Sequence, residues 1–212
     1  GTDPLAAIAI MTQTDTPHLS PDFWEARYQD DNSPWDLGHP APGFQTWVGQ
    51  HTPAGGSLLV LGCGRGHDAL LFAQAGFAVT GVDYAPAAIA AATAAAEAHG
   101  VSARFLQRDI FDLLPDWAGQ FDWVAEHTCF CAIDPSQRDR YVDLVHGLLK
   151  PGGQLIAIFF THQRPGGPPF GTTPAEVRQR FGHRFTLQSL TPIPNSIPRR
   201  TGDEHFAVFQ KP

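Results

Sequence analysis

A short apolar run, Ser57-Leu58-Leu59-Val60-Leu61, leads directly into Gly62-Cys63-Gly64-Arg65-Gly66-His67-Asp68. Such a run reads as a strand buried on both faces. Three glycines at alternate positions read as a turn whose backbone takes left-handed angles and approaches a ligand closely. The following chain repeats the theme. Strands are expected at residues 57–61, 77–82, 103–107, 121–125 and 154–160, and helices at 67–75, 86–99 and 136–149. Gly76 and Gly100 fall where helices end, and Pro86 falls in a first turn. This alternation predicts an α/β fold, a parallel sheet with helices on both faces. Residues 151–153 read as a turn. A helix at 174–181 precedes two last strands, 184–190 and 205–210, expected as an antiparallel hairpin at the sheet edge. Two short helices stand in front, 21–29 with Ser20 as N-cap and 44–51, on either side of a loop over 30–43 rich in Pro, Gly and Asp.

A chain of 212 residues suits one domain. Residues 1–10 precede the only methionine, Met11, and lack the basic start of a secretory signal; they are expected to be a remnant of expression. The domain is then 11–212, with 20–51 as an N-terminal cap. The net charge is −7 and no Lys/Arg cluster exists, which argues against a phosphate backbone as partner, so no nucleic acid is expected. No apolar run reaches the ~18–20 residues of a membrane span. Three cysteines do not make a disulfide framework, and a reducing, cytoplasmic setting is expected. Cys129 and Cys131 form a C-x-C pair without further ligands, and the histidines lack metal spacing, so no metal is expected. Nothing in the sequence requires an oligomer.

The glycine turn serves two cofactor classes. In a dinucleotide fingerprint, G-x-G-x-x-G, counting from Gly62 puts His67 in the last glycine position. Counting from Gly64 leaves Asp68 beside a pyrophosphate at a helix N-terminus, where a second anion repels it. The G-x-G-x-G form with acids behind it suits a ligand without phosphate. S-adenosylmethionine is such a ligand. Asp83 ends the second strand, where it can accept from ribose hydroxyls. Asp109 follows the third strand, where it can accept from the adenine amino group with Ile110 against the ring; it serves equally as N-cap for residues 110–114.

Leu61-Gly-Cys-Gly-Arg-Gly-His-Asp68, Val82-Asp83-Tyr84 and Arg108-Asp109-Ile110 resemble motifs of class I S-adenosylmethionine-dependent methyltransferases. Four further stretches resemble the thiopurine methyltransferase superfamily, and within it the halide/thiol (thiocyanate) branch. They are Phe23-Trp24-Glu25 with Pro34-Trp35-Asp36-Leu37-Gly38, the segment Glu126-His127-Thr128-Cys129-Phe130-Cys131-Ala132-Ile133-Asp134-Pro135, Leu148-Leu149-Lys150-Pro151-Gly152-Gly153, and Gly166-Gly167-Pro168-Pro169-Phe170. The resemblance spans roughly residues 20–210. It implies a seven-stranded Rossmann-like domain with a helical cap. Cofactor contacts are then expected at Leu61, Gly62, Cys63, Gly64, Gly66, Asp83, Tyr84, Asp109, Ile110 and Glu126, with Trp24 and Trp35 enclosing the methionine part. Indole faces attract a sulfonium and exclude water. Where plant members of the branch often carry Tyr after G-G-P-P, this chain has Phe170, which removes a hydroxyl donor from the expected acceptor site. The arginine near the thiopurine in animal enzymes aligns with His127, so the aromatic-thiol acceptor does not carry over.

The expected reaction is methyl transfer from S-adenosylmethionine, yielding S-adenosylhomocysteine, to a small soft nucleophile: a thiol, bisulfide, thiocyanate or halide. A thiopurine or other small molecule is the alternative acceptor, and a non-catalytic cofactor-binding module the more distant one. His127 is a candidate base for a neutral thiol, or simply a packed strand-end side chain. Arg164, Arg199 and Arg200 are candidate cations for an anionic acceptor. Phe170, with Pro168 and Pro169, is expected to form a pocket wall on a loop, 163–171, that reads as mobile by composition.

Overall fold

In a computed structural model, which describes residues 20–29, 36–51 and 55–212, seven strands form a single sheet in the order β3-β2-β1-β4-β5-β7-β6. The strands are β1 (Ser57–Leu61), β2 (Ala78–Asp83), β3 (Ala103–Gln107), β4 (Phe121–His127), β5 (Leu149–Phe160), β6 (Thr186–Pro192) and β7 (Glu204–Gln210). The helices are α1 (Pro21–Gln29), α2 (Pro42–Gln50), α3 (His67–Gln74), α4 (Pro86–Ala98), α5 (Arg138–Leu148) and α6 (Pro174–Gly182). The first five strands run parallel, and β7 is antiparallel to both β5 and β6. The expected parallel core and edge hairpin are therefore both present, with β7 inserted between β5 and the outermost strand.

The central strands are apolar throughout because both of their faces are covered. Leu59 and Leu61 of β1, Val124 of β4, and Leu155, Ala157 and Phe159 of β5 join one core cluster with α5, α6 and Trp24 of α1. Leu58, Val60, Ala125, Ile156 and Ile158 join a second with α2 and α3. The period of two decides the face each residue serves. In the first cluster Phe130, Phe159, Phe181 and Phe209 make edge-on, tilted or stacked ring contacts at 5.1–5.8 Å. Truncating a fully buried ring of this kind costs about 3–5 kcal/mol.

Two local expectations shift. The turn expected at 151–153 is the bulged beginning of β5, whose register against β4 is irregular between Phe121 and Trp123. Gly152 N donates to Lys211 O and Lys211 N donates to Gly153 O, so the C-terminal residues complete the ladder there. The helix expected at 136–149 splits into a 3₁₀ turn, Pro135–Gln137, followed by α5. No described helix is long and apolar enough to cross a membrane.

Sheet order reverses between β1 and β4, so the crevice outside their carboxyl ends is where an open α/β sheet binds its ligand. The glycine turn after β1 opens onto it.

Candidate active site

The turn after β1 has Gly62, Gly64 and Gly66 at φ 67°, 52° and 88°. Gly66 is the most constrained. A Cβ there would lie 2.9 Å from the Ala92 Cβ of α4, in a backbone conformation that L-residues rarely adopt. Alanines on α4 allow the helix to come this close. Cys63 N donates to Val82 O at 2.9 Å and fixes the turn to β2.

Three carboxylates converge behind it. Asp83, fully buried, accepts from Gly64 N at 2.9 Å and Ala85 N at 3.0 Å. Burial pushes its pKa up to about 7 against those two donors. Asp109 accepts from Phe111 N at 2.9 Å, capping the turn Ile110–Asp112, and from the Tyr84 hydroxyl. Burial and this bond raise the Tyr84 pKa, so Tyr84 remains a donor. Of the two readings of Asp109, the N-cap is present; the residue follows β3, which ends at Gln107. Glu126 pairs in register with Leu61. Its Oε1 accepts from Cys129 N at 3.0 Å and from Phe130 N, while its buried Oε2 has no hydrogen-bond partner among the described residues. Burial pushes Glu126 up to about 7 as well.

The cap is fastened over this turn by polar contacts that sequence reading did not identify. Trp24 is fully buried in the first core cluster, edge-on to Phe23 at 4.9 Å. Both oxygens of Glu25 accept from Ala87 N at 2.9 and 3.1 Å, which caps α4 from α1 because Ala85 has no side chain to do so. Asp36 binds Arg65 at 3.0 Å and His67 at 2.9 Å, and accepts from Gly38 N. These contacts outweigh burial and hold the Asp36 pKa at about 2, while the Asp36 bond raises that of His67. Asp68 accepts from Ala41 N at 2.8 Å. The cleft under this strap, lined by Asp36, Gly62, Arg65, His67, Asp68 and His127, encloses about 50 Å³. Trp35, expected beside Trp24, lies outside the described residues.

On the far side of β4, His127 Nδ1 stands 3.2 Å from Asp68 Oδ2, and Arg200 Nη1 stands 3.3 Å from His127 Nε2. A guanidinium can only donate, so Nε2 accepts and Nδ1–H donates to Asp68. His127 thereby has both ring nitrogens engaged, with Glu204 Oε2 also 3.9 Å from Nε2. Arg200 is completely buried. Its polar contacts, to His127 and to Glu204 at 3.7 Å, all run to Nη1. Nε and Nη2 have no hydrogen-bond partner among the described residues. Phe160 lies beneath, 5.7 Å from this guanidinium and 5.8 Å from that of Arg164. Arg164 differs from Arg200: it is about half exposed and paired with Asp203 at 3.0 Å. Arg199 is exposed, on the same 3₁₀ turn as Arg200.

Pro168 and Pro169 are buried and Phe170 is half-buried against the first core cluster. Composition suggested mobility for 163–171, yet the segment is tied down at its end. His162 bonds Pro169 O at 2.8 Å, and Phe170 N donates to Cys131 O at 2.6 Å. The three cysteines are buried, and burial raises all of their pKa values, which makes them inert as thiolates. No group of three His, Cys, Asp or Glu side chains is placed to hold a metal among the described residues.

The family model of thiopurine S-methyltransferase matches residues 19–208. The chain is 32% identical over 197 residues to "Thiocyanate methyltransferase 1" of Arabidopsis thaliana, covering 89% of this chain and 84% of that protein. It is 34% identical over 159 residues to "Probable thiol methyltransferase 2" of the same plant, covering 74% and 70%. A solved structure of a Burkholderia thailandensis 1,6-didemethyltoxoflavin-N1-methyltransferase, with its acceptor and S-adenosylhomocysteine bound, superposes with a TM-score of 0.76 at 20% identity. It covers 96% of this chain and 93% of that one, and shows the common fold.

Proposed function

The chain belongs to the thiopurine S-methyltransferase family and is an S-adenosylmethionine-dependent small-molecule methyltransferase, and we propose that its acceptor is a small soft anion held by Arg200. The observation that carries this reading is the free Nε/Nη2 edge of a guanidinium with no exposure to water. Two parallel N–H donors left unpartnered in a low-dielectric interior are costly, and an anion satisfies both at once. Thiolate, bisulfide, thiocyanate and halide share that chemistry. The names of the plant thiocyanate and thiol methyltransferases support the same class.

The residues of the crevice fit the cofactor. The close-approach turn and the carboxylates of Asp83, Asp109 and Glu126 suit a ligand with a ribose diol and an amino-acid end. We assign the ribose to Asp83, the adenine side to Asp109, Tyr84 and Ile110, and the methionine side to Leu61, Gly62, Cys63, Gly64, Gly66, Glu126 and the cap residues Trp24 and Trp35. When bound, S-adenosylmethionine supplies an electrophilic methyl on a sulfonium that departs as a neutral thioether.

The protein's share is alignment and dryness. Arg200 would hold the anion facing the methyl of the bound cofactor, the alignment that an in-line displacement needs. His127, fixed by Asp68, keeps Nη1 occupied and turns the free edge toward the acceptor; it needs to take no proton from an acceptor that arrives as an anion. Phe160 and Phe170 form apolar walls that strip water from the nucleophile. Arg164, neutralised by Asp203, contributes only to the approach of anions. Replacing Phe170 with Ala is accordingly expected to raise the acceptor KM several-fold before it alters cofactor affinity, a contrast that steady-state kinetics and a cofactor titration read separately.

A headspace assay tests the whole reading. The protein and cofactor are incubated with iodide, bromide, bisulfide, methanethiol, thiocyanate and an aromatic thiol. Volatile methyl products from the small anions support it. Turnover of the aromatic thiol alone moves the assignment to thiopurine-like acceptors, and no product with any of them, alongside measurable cofactor binding, overturns it.

A further inference from the structure

We propose that Arg138, at the start of α5, is a positioning residue that fixes Phe170 as the wall of the acceptor pocket. It is 3% exposed and lies over the Phe130 ring, its guanidinium carbon 4.6 Å from the centroid. Nη1 donates to Glu176 Oε1 of α6 at 2.9 Å. Nη2 donates to Phe170 O at 3.3 Å and Gly171 O at 3.0 Å. The backbone around Phe170 is thereby held at four successive points: Pro169 O by His162, Phe170 N by Cys131 O, and then Phe170 O and Gly171 O by Arg138. Gly171 permits the closeness, since a Cβ there would lie 2.2 Å from His162 O.

The clamp is built from both sides of the pocket. Cys131 lies in the connection between β4 and α5 and Arg138 opens α5, so both follow the strand end that carries Glu126 and His127. Glu176, which steadies Arg138, also accepts from Thr172 Oγ1 at 2.6 Å and from Arg180 Nε at 2.8 Å. The planar fork of an arginine reaches a carboxylate and two carbonyls together, and a lysine ammonium reaches one of these at a time. A loop rich in Pro and Gly leaves an aromatic wall loosely placed unless something outside the loop holds it. Among the described residues the polar side-chain contacts of Arg138 run to Glu176, Phe170 and Gly171, so its main effect is expected on the placement of Phe170.

The inference rests on the reading of Phe170 as a pocket wall. Arg138→Lys is expected to raise the acceptor KM ~10-fold, with kcat and cofactor Kd within about twofold of wild type. The same substitution in a Phe170→Ala background is expected to change KM little, because the clamp then holds nothing that meets the acceptor. Glu176→Gln is the milder companion if Arg138→Lys fails to bind cofactor, and should shift KM in the same direction. Amide exchange supplies a readout independent of turnover: the Phe170 and Gly171 amides should exchange at least ~10-fold faster in Arg138→Lys, with β1 and α3 unchanged. Unchanged exchange at these amides overturns the clamp even if no acceptor is found. A wild-type KM in both single variants, or additive effects with Phe170→Ala, overturns it while leaving the assignment of the acceptor intact.

Discussion

Arg200→Met is expected to lower kcat/KM for an anionic acceptor by ~10²-fold or more while cofactor affinity stays within about threefold. The methionine fills much of the same volume without charge. What is lost is the pair of N–H donors at the acceptor and the donor to His127. Glu204, buried beside Nη1, loses its cation, so the variant is also expected to be less stable by about 3–5 kcal/mol, a typical cost for stranding one partner of a buried ion pair. Arg200→Lys separates the two effects. A lysine restores charge beside Glu204, and stability with it, but offers no flat two-donor edge, so turnover should recover only in part. Cofactor titrations on each variant keep folding and catalysis distinct. If Arg200→Met retains near-wild-type kcat/KM for whichever anion the enzyme uses, the acceptor is held elsewhere.

The second large effect is a pH dependence of cofactor binding centred on Asp83. Its carboxyl, moved by burial from the model-compound value of 3.8 to about 7, is partly protonated near neutrality. Its pKa in the fold is higher than in the unfolded chain, so the fold binds the extra proton. Stability of the free protein therefore falls as pH rises from about 4 through 7. Glu126, also raised to about 7, acts in the same direction. Ribose hydroxyls donating to Asp83 favour the ionised form, so cofactor binding should release a proton and tighten as pH rises from 6 to 8. Below the raised pKa the slope approaches tenfold per pH unit for each proton released. Calorimetry in buffers of different ionisation enthalpy counts that proton directly. Asp83→Asn should abolish one proton's release and weaken binding ~10-fold or more. A proton count of zero in the wild type at pH 6.5 removes Asp83 and Glu126 from the cofactor's contacts.

Sequence reading reached the sheet and the cofactor turn because both are written in local signals. The run 57–61, the glycines and the strand-end acids lie next to the elements they serve, and β1, β3 and α1 have the bounds expected of them. The exceptions share one physical cause. Gly152 and Gly153 look like a turn in isolation, but they pair with Lys211 some sixty residues later. The loop 163–171 looks mobile in isolation, but His162, Cys131 and Arg138 restrain it from outside. Glu204 and Arg138 lie in no motif, and Glu25 and Asp36 lie in the front stretches with no role readable from them; each matters through a partner distant in the chain. Arg200 stood out only as one of three arginines, and burial singled it out. Sequence spacing does not encode burial of a cation; the antiparallel return of β7, which brings residue 204 beside residue 127, does.

The order of the sheet has an evolutionary consequence. One half, β1 to β3, supplies Asp83, Asp109 and the glycine turn from three consecutive strand ends. The other half carries the proposed acceptor residues His127, Phe160, Phe170, Arg200 and Glu204 on β4, β5, β7 and the segments that join them. On the proposed reading, mutation can reshape most of the second group while the first is left alone, the shared points being Glu126 and the Asp68–His127 contact, so new acceptor preferences are accessible with donor binding kept. A family with this layout is free to diversify its nucleophiles while inheriting its methyl source. On the proposed reading, exchanging residues 127–204 between two such relatives should therefore transplant acceptor preference as a single heritable unit.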